Sequence, residues 1–310
     1  MSEPAVDVSL PATPETGDQT EIRQRDITFA AADGFPLNGT LFEGGGDRPL
    51  VLVSSATAVP RGYYAAFAKA LLKAGARAVL TYDYRGLPGS PAPKGWTKRI
   101  GMKDWAVLDM PAAAAALDAV APGHAMVGVG QSYGGQALGL CGISGRFTRY
   151  GMVATMSGYH RGLDDRWAGP RMFLVGVPVA SLLGRVPRWL GVGEPIPASV
   201  FRDWARWCRR PDYFFGDPAV PETAGFAEVT TPILALGLTD DRWGTRRAIR
   251  SLLKHYAAAP LEERWLSPAD GGAAIGHLGF FRSRFSAALW PQFIAWLLKG
   301  TAMTVGTRAE

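Results

Sequence analysis

Along most of the chain, short apolar runs alternate with longer segments of helical spacing. DITFAAADGFPLNGTLFEGGGDRP reads as two strands joined by a turn at Asp33-Gly34 and closed by a Gly-rich turn. PLVLVSSA is a compact apolar run, the signature of a buried strand, and YYAAFAKALLKAGA has helical spacing up to a stop at Gly75. ARAVLTYDYRG predicts a strand with a polar end. MKDWAVLDMPAAAAALDAV predicts a helix that Pro111 must kink or in which it marks the true first turn. HAMVGVG, then GGQALGLCGI, then RYGMVATMSG give strand, small-residue helix and strand. From about 160 to 225 the alternation breaks into Arg, Trp, Pro and Gly, with helical spacing at Phe201, Trp204 and Trp207 or Cys208. TPILALGLTDD, RRAIRSLLKHYAAA, LEERWLS and SRFSAALWPQFIAWLLK then restore strand, helix, strand and helix.

This order predicts an α/β fold. Its sheet has eight strands, mostly parallel, with helices on both faces and chemistry at the C-terminal strand ends. The expected organisation is a flexible tail over 1–20, a core from 21 to 159, an inserted helical lid over 160–225, and the rest of the core over 226–310. No internal repeat is visible.

Composition narrows the function classes. At 310 residues, 47% hydrophobic and 19% charged, the chain suits one large α/β domain or two small ones. Cys141 and Cys208 form no disulfide framework, which fits a reducing cytoplasm. The four histidines lack ligand spacing, so neither a metal nor another cofactor is expected. MFLVGVPVASLL (172–183) is too short to span a bilayer and carries Pro178, and the first 20 residues lack the basic start and apolar stretch of a signal peptide. A net charge of +6, without a dense basic tract, does not call for a nucleic-acid partner.

The chemistry gathers around GQSYGG. Ser132 stands between Gly130 and Gly134 where a strand turns into a helix, a tight turn that would lift its hydroxyl out as a nucleophile. A serine hydroxyl needs a base, itself oriented by an acid, and on such a turn the chain order is Ser, Asp or Glu, His. Downstream, Asp240 and Asp241 end a strand, and His277 lies in a loop before the last helix. His255 falls inside a predicted helix and His124 at the wrong end of the sheet, while His160, beside Tyr159 at the lid entrance, reads as pocket wall. One oxyanion donor is expected from the Tyr133 N–H and another from the loop after PLVLVSS.

SSATAVPRGYY, DYRGLPGS, GQSYGG, TPILALGLTDD and GHLGFF, spread over about 22 to 299, resemble the α/β-hydrolase superfamily. More narrowly the chain is similar to bacterial predicted serine hydrolases near the serine-aminopeptidase-type and monoglyceride-lipase-type lid-bearing members. The resemblance implies a catalytic acid nine residues beyond Pro232, which is Asp241, with Asp240 as the alternative. Where relatives begin the oxyanion loop with His-Gly, this chain has Ser55-Ala56; counting back from Tyr63-Tyr64 points to Thr57, with Ala56 as the alternative donor. It implies hydrolysis of a small-molecule carboxylic ester with a hydrophobic part, Trp204 and Trp207 of the lid joining the pocket. Amide or peptide hydrolysis, acyl transfer, and ligand binding without turnover remain alternatives on the same fold.

Overall fold

The structure, a computed structural model, describes residues 22–308. The tail expected over 1–20 lies outside the described residues. Among the described residues eleven strands occur: β1 Arg23–Ala30, β2 Pro36–Glu43, β3 Leu50–Ser54, β4 Ala78–Tyr82, β5 Met126–Gln131, β6 Phe147–Val153, β7 Arg185–Val186, β8 Ile196–Pro197, β9 Ile233–Leu238, β10 Leu261–Leu266 and β11 Thr307–Arg308. Nine of them form one sheet in the order β1-β2-β4-β3-β5-β6-β9-β10-β11. The run β4-β3-β5-β6-β9-β10 is parallel, while β1, β2 and β11 pair antiparallel at the two edges. The ninth strand was not expected, because two residues carry no readable alternation.

Burial on both faces explains why the central strands read as unbroken apolar runs. In β3, Leu50 and Leu52 join the core on one face and Val51 and Val53 the core on the other. Helices Met110–Asp118, Tyr133–Leu140 and Arg246–Leu253 cover the first face, and Ala65–Lys73 with Trp290–Lys299 the second. Pro111 does not end its helix. A π-type turn over Trp105–Asp109 runs into the α-helix, and Pro111 falls at the junction of the two.

Between β6 and β9 the inserted block holds a π-type turn Arg171–Gly176 leading into helix Val177–Leu183, the β7–β8 hairpin, and helix Ala198–Cys208. The hairpin is not legible in the sequence, since its pairing rests on two residues each side. The block leans on the loop after β3, where the Glu194 N–H donates to the Ala58 carbonyl at 2.8 Å. Among the described residues it carries six of the eight exposed large apolar side chains, Leu174, Leu182 and Trp189 most openly. No helix among the described residues is long and apolar enough to cross a membrane.

Candidate active site

β5 ends at Gln131 and a helix begins at Tyr133, leaving Ser132 to make the whole turn at φ 51°, ψ −112°. A non-glycine residue there costs of order 1–3 kcal/mol, which the surrounding packing must offset. The flanking glycines make the turn possible. A Cβ on Gly130 would lie 2.3 Å from the Gly134 carbonyl, and one on Gly134 would lie 2.1 Å from the Ser54 carbonyl oxygen. The elbow therefore presses against the neighbouring strand.

Three side chains meet at the C-terminal edge of the sheet. His277 Nε2 is 3.1 Å from Ser132 Oγ, and His277 Nδ1 is 2.7 Å from Asp241 Oδ2. Asp241 follows β9, its side chain is fully enclosed, and its Oδ1 accepts the Trp243 N–H at 2.8 Å. Burial alone would push this carboxyl's pKa up. The charge and hydrogen bond of His277, with the Gly244 and Trp243 N–H groups, outweigh it and hold the pKa below the ordinary value. Asp240 has a different task. Its two oxygens accept the N–H groups of Ile275 and Gly276 at 2.8 and 3.0 Å, tying down the segment that carries His277. That segment is a single helical turn, Gly276–Gly279, rather than the expected open loop.

A second, largely buried network lies behind these groups. The Tyr64 hydroxyl accepts the Ala56 N–H at 2.9 Å and donates to Gln131 Oε1 at 2.7 Å. Gln131 Nε2 in turn donates to the His277 carbonyl at 3.0 Å. One phenol thus links the loop after β3, the elbow and the histidine turn. It also engages the Ala56 N–H, while Ala56 and Thr57 both line the cavity in front of Ser132. Tyr64 and Gln131 both stand in motifs legible in the sequence, but nothing in the sequence pairs them across 67 positions.

The alpha/beta hydrolase family model matches residues 50–298. The chain belongs to the alpha/beta hydrolase family. Among solved structures it is similar to DcsB in complex with its substrate analogue, at 14% identity and a TM-score of 0.61 over 90% of this chain and 100% of that one. An esterase of Pyrococcus furiosus aligns at 16% identity and TM-score 0.56 over 87% and 89% of the two chains. A soluble variant of monoglyceride lipase from Saccharomyces cerevisiae, bound to a substrate analogue, aligns at 14% and 0.59 over 92% and 99%. At these identities the likeness is one of fold. No curated protein matches the sequence.

In this alpha/beta hydrolase Ser132 and His277 open into a cavity of about 410 Å³ roofed by the inserted block. Trp204 lines it, 5.9 Å from Trp243, whose ring is 6.3 Å from that of His277. Three expected wall residues do not line it. The Trp207 indole donates to Asp217 Oδ2 at 2.8 Å and packs on Phe214, which turns it into the core of the block. His160 stands edge-on to Phe173 and to Tyr159, outside the cavity wall; burial, then Arg161 and Arg209, lower its pKa. The wall residues that went unassigned from the sequence include Met156, Met172, Gln136 and Tyr213. The Met156 sulfur lies 3.9 Å from Ser132 Oγ. Methionines and tyrosines at such places read as ordinary core, so no sequence signal marks them.

Proposed function

We propose that the chain is a serine hydrolase cleaving carboxylic esters that carry a hydrophobic part, without a cofactor. What supports this reading is the hydrogen-bonded series Asp241–His277–Ser132 opening into a mainly apolar cavity. Ser132 Oγ attacks the ester carbonyl while His277 Nε2 takes its proton. The N–H groups of Tyr133 and Thr57 receive the negative oxygen of the tetrahedral intermediate. His277 returns the proton to the departing alcohol, leaving an acyl group on Ser132, and then activates the water that releases the acid. Asp241 holds the imidazole with its Nδ1 protonated, so that Nε2 stays free to accept. The inserted block acts as a cap, its Phe201 and Trp204 covering the apolar part of the substrate.

The test is an ester panel of graded acyl length, run beside a fluorophosphonate probe and the Ser132→Ala protein. The wild type should label and turn over esters, and Ser132→Ala should lose about 10⁴- to 10⁶-fold in rate. An unlabelled wild type, or equal turnover by both proteins, refutes the proposal.

A further inference from the structure

With the catalytic groups set aside, the cavity keeps a polar corner that the mechanism above does not use. Gln136 lies one helical turn beyond Ser132, and Tyr213 follows the helix Ala198–Cys208 of the inserted block. Both side chains are buried, at 2% and 1% exposure, yet both line the cavity. Gln136 Nε2 donates to the Met156 carbonyl at 2.7 Å, which fixes the amide and leaves Oε1 as an acceptor. The Tyr213 hydroxyl reaches that oxygen only at 3.4 Å, well beyond the usual O–H···O distance of about 2.7–2.8 Å. This bond is long and weak, and the Trp204 indole is the phenol's other side-chain partner; a hydroxyl set between donor and acceptor would replace one long bond by two of ordinary length.

The placement of Tyr213 is also strained. Its φ is 53°, unusual for a bulky residue, and its ring packs at a tilt on Phe214 and against Gly158, where a Cβ would come within 2.7 Å of it. Burial pushes the phenol far above its ordinary pKa, so it stays a neutral donor. Arg171, also on the wall, is paired with Asp165. A neutral donor beside a neutral acceptor matches a group that both accepts and donates, and offers nothing to balance a carboxylate.

We propose that Gln136 and Tyr213 form a subsite for a hydroxyl group on the otherwise apolar part of the ester. This rests on the ester-hydrolase reading and names its substrate class, a hydroxylated acyl or alkyl chain in place of a plain hydrocarbon one. The hydroxyl would accept from Tyr213 and donate to Gln136 Oε1.

The test uses pairs of alkyl fluorophosphonates, identical except for one hydroxyl moved along the chain carbon by carbon, with Ser132→Ala as the blank. At one position the hydroxylated probe should label the wild type at least about tenfold faster than its plain partner. Tyr213→Phe should erase that advantage, bringing the ratio of hydroxylated to plain labelling rates to about one. An advantage at no position, or an equal slowing of both probes in Tyr213→Phe, overturns the subsite. If Tyr213→Phe does not fold, Gln136→Leu carries the same comparison. Labelling without hydroxyl preference removes only the subsite, whereas no labelling by any probe removes the hydrolase reading beneath it.

Discussion

Exchanging Asp240 and Asp241 in turn for asparagine separates two neighbouring carboxylates with different work. In Asp241→Asn the amide nitrogen can face His277 Nδ1, now 2.7 Å from Oδ2, and this selects the tautomer protonated on Nε2. That nitrogen then donates to Ser132 Oγ instead of accepting its proton. The rate should fall about 10⁴-fold, the scale found when the acid of a Ser-His-Asp triad becomes an amide. The folded pKa of Asp241 lies below its unfolded value of about 3.9, so the carboxylate stabilises the fold above that pH. This contribution is lost as pH falls through the lower folded pKa, and the variant should lose that part of the acid dependence of stability. Asp240→Asn keeps one acceptor oxygen for the Ile275 and Gly276 N–H groups and loses the charge that strengthens both bonds. It should cost about 1.5–3 kcal/mol of stability and, by loosening the histidine turn, no more than about 100-fold in rate. Ester kcat/KM and urea unfolding at several pH values measure both quantities. Equal rate losses, or a larger loss in Asp240→Asn, would refute the assignment.

Other expectations can be checked with the same assays. Because Ser132 sits at φ 51°, Ser132→Gly should be as inactive as Ser132→Ala yet more stable by about 1–2 kcal/mol; a less stable glycine variant would show that the turn holds no strain. Tyr64→Phe strands the Ala56 N–H and Gln131 Oε1 inside the core and should lower both stability, by about 2–4 kcal/mol, and ester turnover; unchanged kcat would mean that the network only supports packing. For plain acyl chains kcat/KM should rise with length, by up to about 0.8 kcal/mol per buried methylene, and Trp204→Ala should flatten the slope; a profile already flat in the wild type would deny the cap its role. Cys141 is buried with its thiol pKa pushed up to about 11, and Cys208 is pushed higher still, so neither should react with a thiol reagent at neutral pH until the chain unfolds.

Much of the core was legible because its signals are local. Alternating buried faces make β3, β5 and β9 unbroken apolar runs, and Gly130 and Gly134 announce the elbow through the space they must vacate. The two-residue strands β7, β8 and β11 left no such mark, since their pairing depends on where distant chain already lies. In the inserted block, helical spacing grouped Trp204 with Trp207, and only packing against Asp217 and Phe214 turned the second away from the cavity. Tyr159 and His160 follow the same logic: the sequence places them after a strand, while edge-on packing of His160 against Tyr159 and Phe173 keeps them outside the cavity wall.

The sequence by itself determined the order of strands and helices, the elbow at Ser132 and the chain order Ser, Asp, His, because backbone preference and periodicity act over a few residues. Tertiary structure alone decided which of two adjacent aspartates meets His277, that Tyr64 occupies the Ala56 N–H, and that Gln136 and Tyr213 share a corner of the cavity. Those choices are made by side-chain direction between groups 36, 8 and 77 positions apart. Neighbouring residues at a strand end point to different sides, so a shift of one position in sequence becomes a different partner in space.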